Sequence, residues 1–371
     1  MQQQPLSTAV QSPPAGDAVR SAAAPPWAPE SIFGRVQRHL GSVQRCMAEI
    51  VAAHCAEPLR TMLDEHLSTG GKRLRAMLAL AAAEALGSSS EASIGWAAAC
   101  EFLHNGSLVH DDLQDGDEMR RGHPTLWFRH GPAHAINAGD LLLVAPALAI
   151  ARVPADESLR WSLLHAVSVH AARIASGQAA ELEMTSTQRA DPVRYRRVVA
   201  LKTSGLFELP VVGAALLAGH APASAATVSS AFQPIGVLFQ LQDDVLDLYG
   251  DKGRGNVGAD LLEGKMSALV VRHLELHPGD RGWLCDLLGR PRGEVRSSDI
   301  EEAIARFRTG GALAAVARDI WEEAVSARER ALAGNGRLAA IVEELIEIML
   351  SPVRKVLESC ADGAAPPGSA G

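Results

Sequence analysis

The chain has 371 residues, 47% of them hydrophobic but only 4% aromatic, and a formal net charge of -8. That is enough apolar material for a sizeable core, and a chain poor in aromatics favours packed helices over a β-sandwich. The acidic balance excludes a general nucleic-acid binder, which carries a basic footprint, but not an anionic ligand held by a few converging cations.

Residues 1–30 mix Gln, Ala, Ser and Pro, with no basic start followed by an apolar run. They read as a flexible tail without a secretory signal, and residues 361–371 read the same way. Between them no Pro-, Gly- or Ser-rich linker and no repeat divides the chain, so one domain is expected over 31–360. The cysteines at 46, 55, 100, 285 and 360 form no C-x-x-C pair. They predict isolated thiols in a reducing, cytoplasmic setting.

Helical spacing begins with Leu74, Met77, Leu78 and Ala81, and strand-like alternation is absent over any useful length. Breaks are expected at Gly70-Gly71, Gly87 to Ser90, Gly122 to Pro124, Gly131-Pro132, Ala190 to Pro192 and Gly250 to Gly258. An all-α bundle follows.

The first chemical signal is Gly70-Gly71-Lys72-Arg73-Leu74-Arg75, a glycine turn before a basic helix start. Backbone amides and Lys or Arg together suit a phosphate. An apolar stretch from Phe102 to Val109 then leads into His110-Asp111-Asp112-Leu113-Gln114-Asp115. On a helix Asp111 and Asp115 share a face and repel each other. A hard divalent cation such as Mg²⁺, sharing its remaining positions with phosphate oxygens and water, resolves the conflict.

Arg120-Arg121-Gly122 follows the cluster, and Lys202-Thr203 opens another apolar stretch. On their own, His104 and Gln178 read as satisfied polar groups of a helical core. Leu209–Gln242 contains no Asp, Glu, Lys or Arg, but Gly219-His220, Pro222 and Pro234 interrupt it. It therefore predicts two buried helices and no integral membrane segment. That stretch ends in a second cluster, Asp243-Asp244-Val245-Leu246-Asp247, with Lys265 downstream. Either cluster alone would pass for a solvated acidic face; two of them, each ending a long apolar helix, point to a metal–anion site between two helices.

This ordered set resembles the trans-isoprenyl diphosphate synthases, or polyprenyl synthases, over roughly residues 60–275. The matching segments include Gly-Gly-Lys-Arg-Leu-Arg at 70–75, Glu-Phe-Leu-His at 101–104 and the two Asp clusters. Arg-Arg-Gly-His-Pro-Thr at 120–125, Gly-Gln-Ala-Ala-Glu at 177–181, Lys-Thr at 202–203 and Asp-Leu-Leu-Glu-Gly-Lys at 260–265 complete them. The resemblance implies an all-α homodimer with helices around a deep cavity, joining isopentenyl diphosphate to an allylic diphosphate. It implies that Asp111, Asp115 and Asp243 ligate several Mg²⁺ ions, with Asp112, Asp244, Asp247, Gln178 and Glu181 in support. Arg120, Lys202 and Lys265 would hold the allylic diphosphate, and Lys72, Arg75, His104 and Arg121 the isopentenyl one. Thr203 and Gln240 would stabilise the allylic cation.

Two departures stand out. Glu181 occupies a place where the family more often has Asp, and the loop Gly253 to Asp260 lacks the family's lysine in register, leaving Lys252 and Arg254 nearby. The resemblance also locates chain-length control just before the first cluster, where Gly106 and Ser107 are small and Leu103 lies one turn further. A product longer than farnesyl, most simply geranylgeranyl diphosphate, is expected. Two other readings are a class I terpene cyclase, disfavoured by the intact second Asp cluster, and a regulatory subunit without activity of its own.

Overall fold

The computed structural model describes residues 28, 30–250 and 257–361. The expected tails fall largely outside the described residues, and so do Lys252 and Arg254.

The first part of the chain forms α1 (Ile32–Gln37), α2 (Leu40–His54), α3 (Leu59–Ser68), α4 (Leu74–Leu86) and α5 (Ile94–Asp115). Then come α6 (Leu126–His130), α7 (Pro132–Ile150), α8 (Glu157–Thr187), α9 (Pro192–Lys202) and α10 (Gly205–Leu217). They lead to α11 (Pro222–Ser229), α12 (Gln233–Tyr249), α13 (Ala259–Leu262) and α14 (Ala268–Leu276). The last are α15 (Arg281–Leu288), α16 (Ser297–Thr309), α17 (Ala312–Gly334), α18 (Gly336–Leu350) and α19 (Arg354–Ala361).

The fold is all-α, as expected. A short antiparallel hairpin pairs Met119 with Pro124 and Arg120 with His123. Arg121 and Gly122 both have positive φ at its turn, the geometry that lets a two-residue turn follow the strand twist.

Ala- and Leu-rich sequences make α4 and α10 apolar all round, and both are buried over nearly their whole length, as helices without a polar face must be. They pack on each other, and α5 lies against α4, α7 and α2. Burial is tight from Gly95 to Leu103 and loosens from Ser107 onward, so the polar end of α5 emerges beside the core. Similarly, α12 packs on α17 and α9 and carries its acidic end to the same region.

Local chemistry sets the helix ends. Asp191 caps α9, its side chain accepting the Arg194 N–H at 2.9 Å, and Pro192 takes the first turn,. Gly116 ends α5 in the left-handed region, with φ of 70°,. Two features differ from expectation. The apolar stretch 209–242 enters three helices instead of two, because Pro222 and Pro234 each sit in the first turn of a new one. The chain also breaks at Thr203-Ser204, where α9 and α10 meet at a bend of 43°.

Among the described helices α7 is the one long and apolar enough to cross a membrane, and no such span is expected there from the sequence. One side of α7 packs on α5; away from that seam it exposes Ile136 and Val144.

Candidate active site

The polar ends of α5 and α12 meet in one cleft, lined by Asp111, Asp115, Asp243 and Asp244 together with Arg75, His104, Arg120, Gln178, Glu181, Lys202, Thr203, Gln240 and Lys265. These expected site residues, from seven separate stretches of chain, therefore share one wall. Its apolar part is made by Leu108, Ile174, Met184, Val199, Leu206 and Phe239.

Charge is dense and poorly hydrated there. Burial pushes the Asp111 carboxyl up; nearby Lys202 pulls it down and Asp115 adds to the rise. Lys202 Nζ lies 2.5 Å from Glu181 Oε2 and 3.8 Å from Asp111 Oδ2. Burial opposes its charge, yet Asp111 and Glu181 outweigh it and raise the pKa, so this lysine stays protonated. Lys265 Nζ lies 2.7 Å from Asp115 and 2.6 Å from Glu263, with Asp260 at 3.9 Å. Burial again opposes the charge and these three carboxylates overcome it. Asp112 turns away from the cleft: it is buried and hydrogen-bonded to Arg120, and burial holds it up at about 6 despite that partner.

Two close approaches place Lys202 and Thr203 at the bend. A Cβ on Gly177 would fall 2.4 Å from the Lys202 backbone nitrogen, and one on Gly236 only 2.3 Å from the Ser204 Cα. Only glycine allows α8 and α12 to close on the junction from both sides. The hold is completed by Ser204 Oγ, which donates to the Gln233 carbonyl at 2.8 Å. Thr203 Oγ1 then donates to Gln240 Oε1 at 3.1 Å, and Gln240 Nε2 to Asp244 Oδ1 at 2.9 Å. Gln178 donates to Gln114 at 2.8 Å.

The basic turn before α4 has a different anchor. Arg73 takes φ of 47° and lies 3.5 Å from buried Glu101. Glu101 also accepts the Ala76 N–H at 3.1 Å, which satisfies a free donor of the α4 N-terminus,. Arg75 lies over the Phe207 and Phe239 rings, 4.7 and 5.2 Å from their centroids. Burial brings it down to about 10, which leaves it charged at neutral pH. His104 is held well below its ordinary pKa by burial and then by Arg75, Arg121, Arg120 and Arg73, so its ring is neutral. Arg121 Nη1 donates to the Gly70 carbonyl at 2.6 Å, tying the hairpin to the glycine turn. Lys72 is exposed, and neither Lys72 nor Arg121 lines the cleft.

Of the three chain-length positions, Ser107 lines the cleft. Leu103 is buried behind the wall, and Gly106 faces α7: a Cβ there would meet Leu143 at 2.9 Å and Leu142 at 3.2 Å. Asp247 is also buried behind the wall, accepting the Asp260 N–H at 3.1 Å.

Four polar residues were not singled out from sequence. Arg73, Asp260 and Glu263 lie inside the quoted motifs and were within reach of a closer reading. Tyr195 was not, since it reaches Asp244 across 49 positions. Its hydroxyl donates to Asp244 Oδ2 at 2.7 Å; burial and then Asp244 hold it well above the ordinary tyrosine range, so it keeps its proton.

The chain matches the Polyprenyl synthetase family model over residues 56–307. It is 36% identical over 255 residues to a short chain isoprenyl diphosphate synthase of Methanothermobacter thermautotrophicus, covering 67% of this chain and 76% of the relative. A geranylgeranyl diphosphate synthase of Methanosarcina mazei is 32% identical over 285 residues, covering 76% and 86%. Among solved structures, a polyprenyl synthase of Caulobacter crescentus complexed with calcium and isoprenyl diphosphate superimposes with a TM-score of 0.76 at 25% identity, covering 86% of this chain and 96% of that one. This chain belongs to the polyprenyl synthetase family and is a prenyltransferase.

Proposed function

We propose that the enzyme joins isopentenyl diphosphate head-to-tail to an allylic diphosphate, making a trans product longer than farnesyl, most simply geranylgeranyl diphosphate. The observation that carries this reading is the meeting of Asp111, Asp115 and Asp243 with Lys202 and Lys265 in one cleft that also carries an apolar wall of Leu108, Ile174, Val199, Leu206 and Phe239.

The donor set fits magnesium. It consists of carboxylate oxygens, and among the described residues no three His, Cys, Asp or Glu side chains converge closely enough to hold an ion by themselves. Magnesium suits such a site, because it takes one or two carboxylates and completes its shell with water and substrate phosphate. Held by Asp111, Asp115 and Asp243, it would supply positive charge to the leaving diphosphate.

The side chains do the rest. Lys202, Lys265 and Arg120 neutralise the allylic diphosphate, while Gln178 and Glu181 hold the outer edge. Arg75 and His104, with Lys72 and Arg121 at the hairpin side, bind the second diphosphate; the neutral imidazole serves as a hydrogen-bond donor. The Thr203 and Gln240 oxygens face the carbon that gains positive charge. Leu108, Ile174, Val199, Leu206 and Phe239 keep water from trapping it. Ser107 leaves room where a bulkier residue would stop the growing chain.

A second copy of the chain is the partner we expect, on the apolar face formed by Ile136 and Val144 of α7 with Trp161 and Val169 of α8. Incubation of purified protein with Mg²⁺, isopentenyl diphosphate and each allylic primer in turn tests the reading. Geranylgeranyl diphosphate as the main product is expected. A farnesyl-only product removes the length assignment, a cyclised hydrocarbon points to a cyclase, and no product with any primer removes the whole reading.

A further inference from the structure

Tyr195 has no part in the chemistry proposed above, although it is buried and lies at the cleft wall. It belongs to α9, the helix that ends in Lys202, and its hydroxyl crosses to α12 to reach Asp244 Oδ2 at 2.7 Å. The same oxygen accepts the Ala268 N–H of α14 at 2.7 Å, and Oδ1 accepts Gln240 Nε2 at 2.9 Å. One carboxylate thus ties three helices together through donors that all point at it.

The consequence falls on Gln240. A side-chain amide has a donor end and an acceptor end, and its partners decide which way it faces. The Asp244 carboxylate offers only acceptors, so it takes the Nε2 end, and Oε1 is left toward Thr203, whose hydroxyl donates to it at 3.1 Å. Reversing the amide would set oxygen against carboxylate. Asp244 can enforce this only while its own orientation is fixed, and of its donors Tyr195 alone comes from α9.

We propose that Tyr195 is a positioning residue for prenyl transfer: through Asp244 it holds the Gln240 amide with its oxygen beside Thr203, so that both oxygens are aimed before the allylic carbon gains charge. Dipoles set in advance cost no reorganisation when the charge develops. The proposal rests on the reading above that Thr203 and Gln240 stabilise that carbon. It predicts an effect on the chemical step and not on diphosphate binding.

The test is a double-mutant cycle on the full chain with Mg²⁺, isopentenyl diphosphate and farnesyl or geranyl diphosphate, with kcat, both KM values and the melting temperature measured for each protein. Q240A is expected to lower kcat by about 30-fold, and Y195F by about 10-fold with both KM values within about twofold of wild type. Because Tyr195 acts through Gln240, Y195F/Q240A is expected to turn over no more slowly than Q240A alone. Penalties that multiply would overturn the proposal, as would a Y195F enzyme with wild-type kcat or with only KM raised. A Y195F melting point lower by about 10 °C or more, or failure to fold, would make Tyr195 a residue of general stability and overturn it equally. Wild-type turnover by Q240A would show instead that the underlying reading of Gln240 has failed, and the proposal with it.

Discussion

At the end of α5, Asp111 and Asp115 face the cleft and find their counter-charges on distant segments, Lys202 and Lys265. At the end of α12 the proportions reverse. Asp243 and Asp244 reach the cleft wall, but Asp244 and Asp247 are buried and their carboxylates accept hydrogen bonds from Tyr195, Gln240, Ala268 and Asp260. The two clusters have the same spacing, so the difference comes from their surroundings. After Asp115 the chain turns away at Gly116, whereas α12 runs on to Tyr249 under α9, α14 and α17. Spacing identifies the chemistry; the packing around each helix decides which carboxylates remain available for it.

The largest effect should come from removing a carboxylate that faces the cleft. D111N is expected to lower kcat by about 1,000-fold, some 4 kcal/mol of transition-state stabilisation. Its unfolding free energy should change by less than about 1 kcal/mol, since Lys202 keeps Glu181 and the repulsion with Asp115 is relieved,. Steady-state kinetics and urea unfolding on one preparation check both halves. Turnover within tenfold of wild type would break the contrast.

D244A should do the opposite in kind. It strands the Tyr195 hydroxyl, the Ala268 N–H and the Gln240 amide in the interior, at a cost of about 3 kcal/mol of stability. The urea midpoint reads this directly, and a midpoint unchanged from wild type would mean that Asp244 holds nothing together.

A third comparison uses ligand and not substrate. With Mg²⁺ and inorganic pyrophosphate at about 100 times Kd, the wild-type chain should gain about 2.7 kcal/mol of stability. D115N should lose most of that gain, and D247N should keep it whatever its own starting stability. Thermal melts with and without the pair measure it. Equal losses in both variants would make the two clusters equivalent after all.

The same contrast marks how far the sequence could be read. Helical class, the breaks at Gly70-Gly71 and Ala190 to Pro192 and the convergence of Asp, Lys and Arg were legible, because spacing, glycine, proline and charge act locally. The bend at Thr203-Ser204 was not, since it depends on Gly177 and Gly236 approaching from other helices. Neither was the burial of Asp244, which depends on a tyrosine 49 positions away. The outer face of α7 was not legible either, because Asp140 interrupts its apolar run.

Gly106 and Ser107 carry the contrast down to a single peptide bond. Both are small and both precede the first cluster, so sequence treats them alike, yet Ser107 lines the cleft and Gly106 faces Leu142 and Leu143 of α7. S107F should therefore fill the cleft and shift the product from geranylgeranyl toward farnesyl diphosphate. G106A should leave the product distribution as it is. The added methyl would press on Leu143, whose side chain is 37% exposed and can move. The strain of about 1 kcal/mol is matched by a similar gain in helix propensity when Ala replaces Gly. The net stability change should thus fall within about 1 kcal/mol, the smallest effect of the series. Radiolabelled products separated by chromatography decide it: a shortened chain from G106A would mean that the wall of the growing product runs along the α5–α7 seam and not past Ser107.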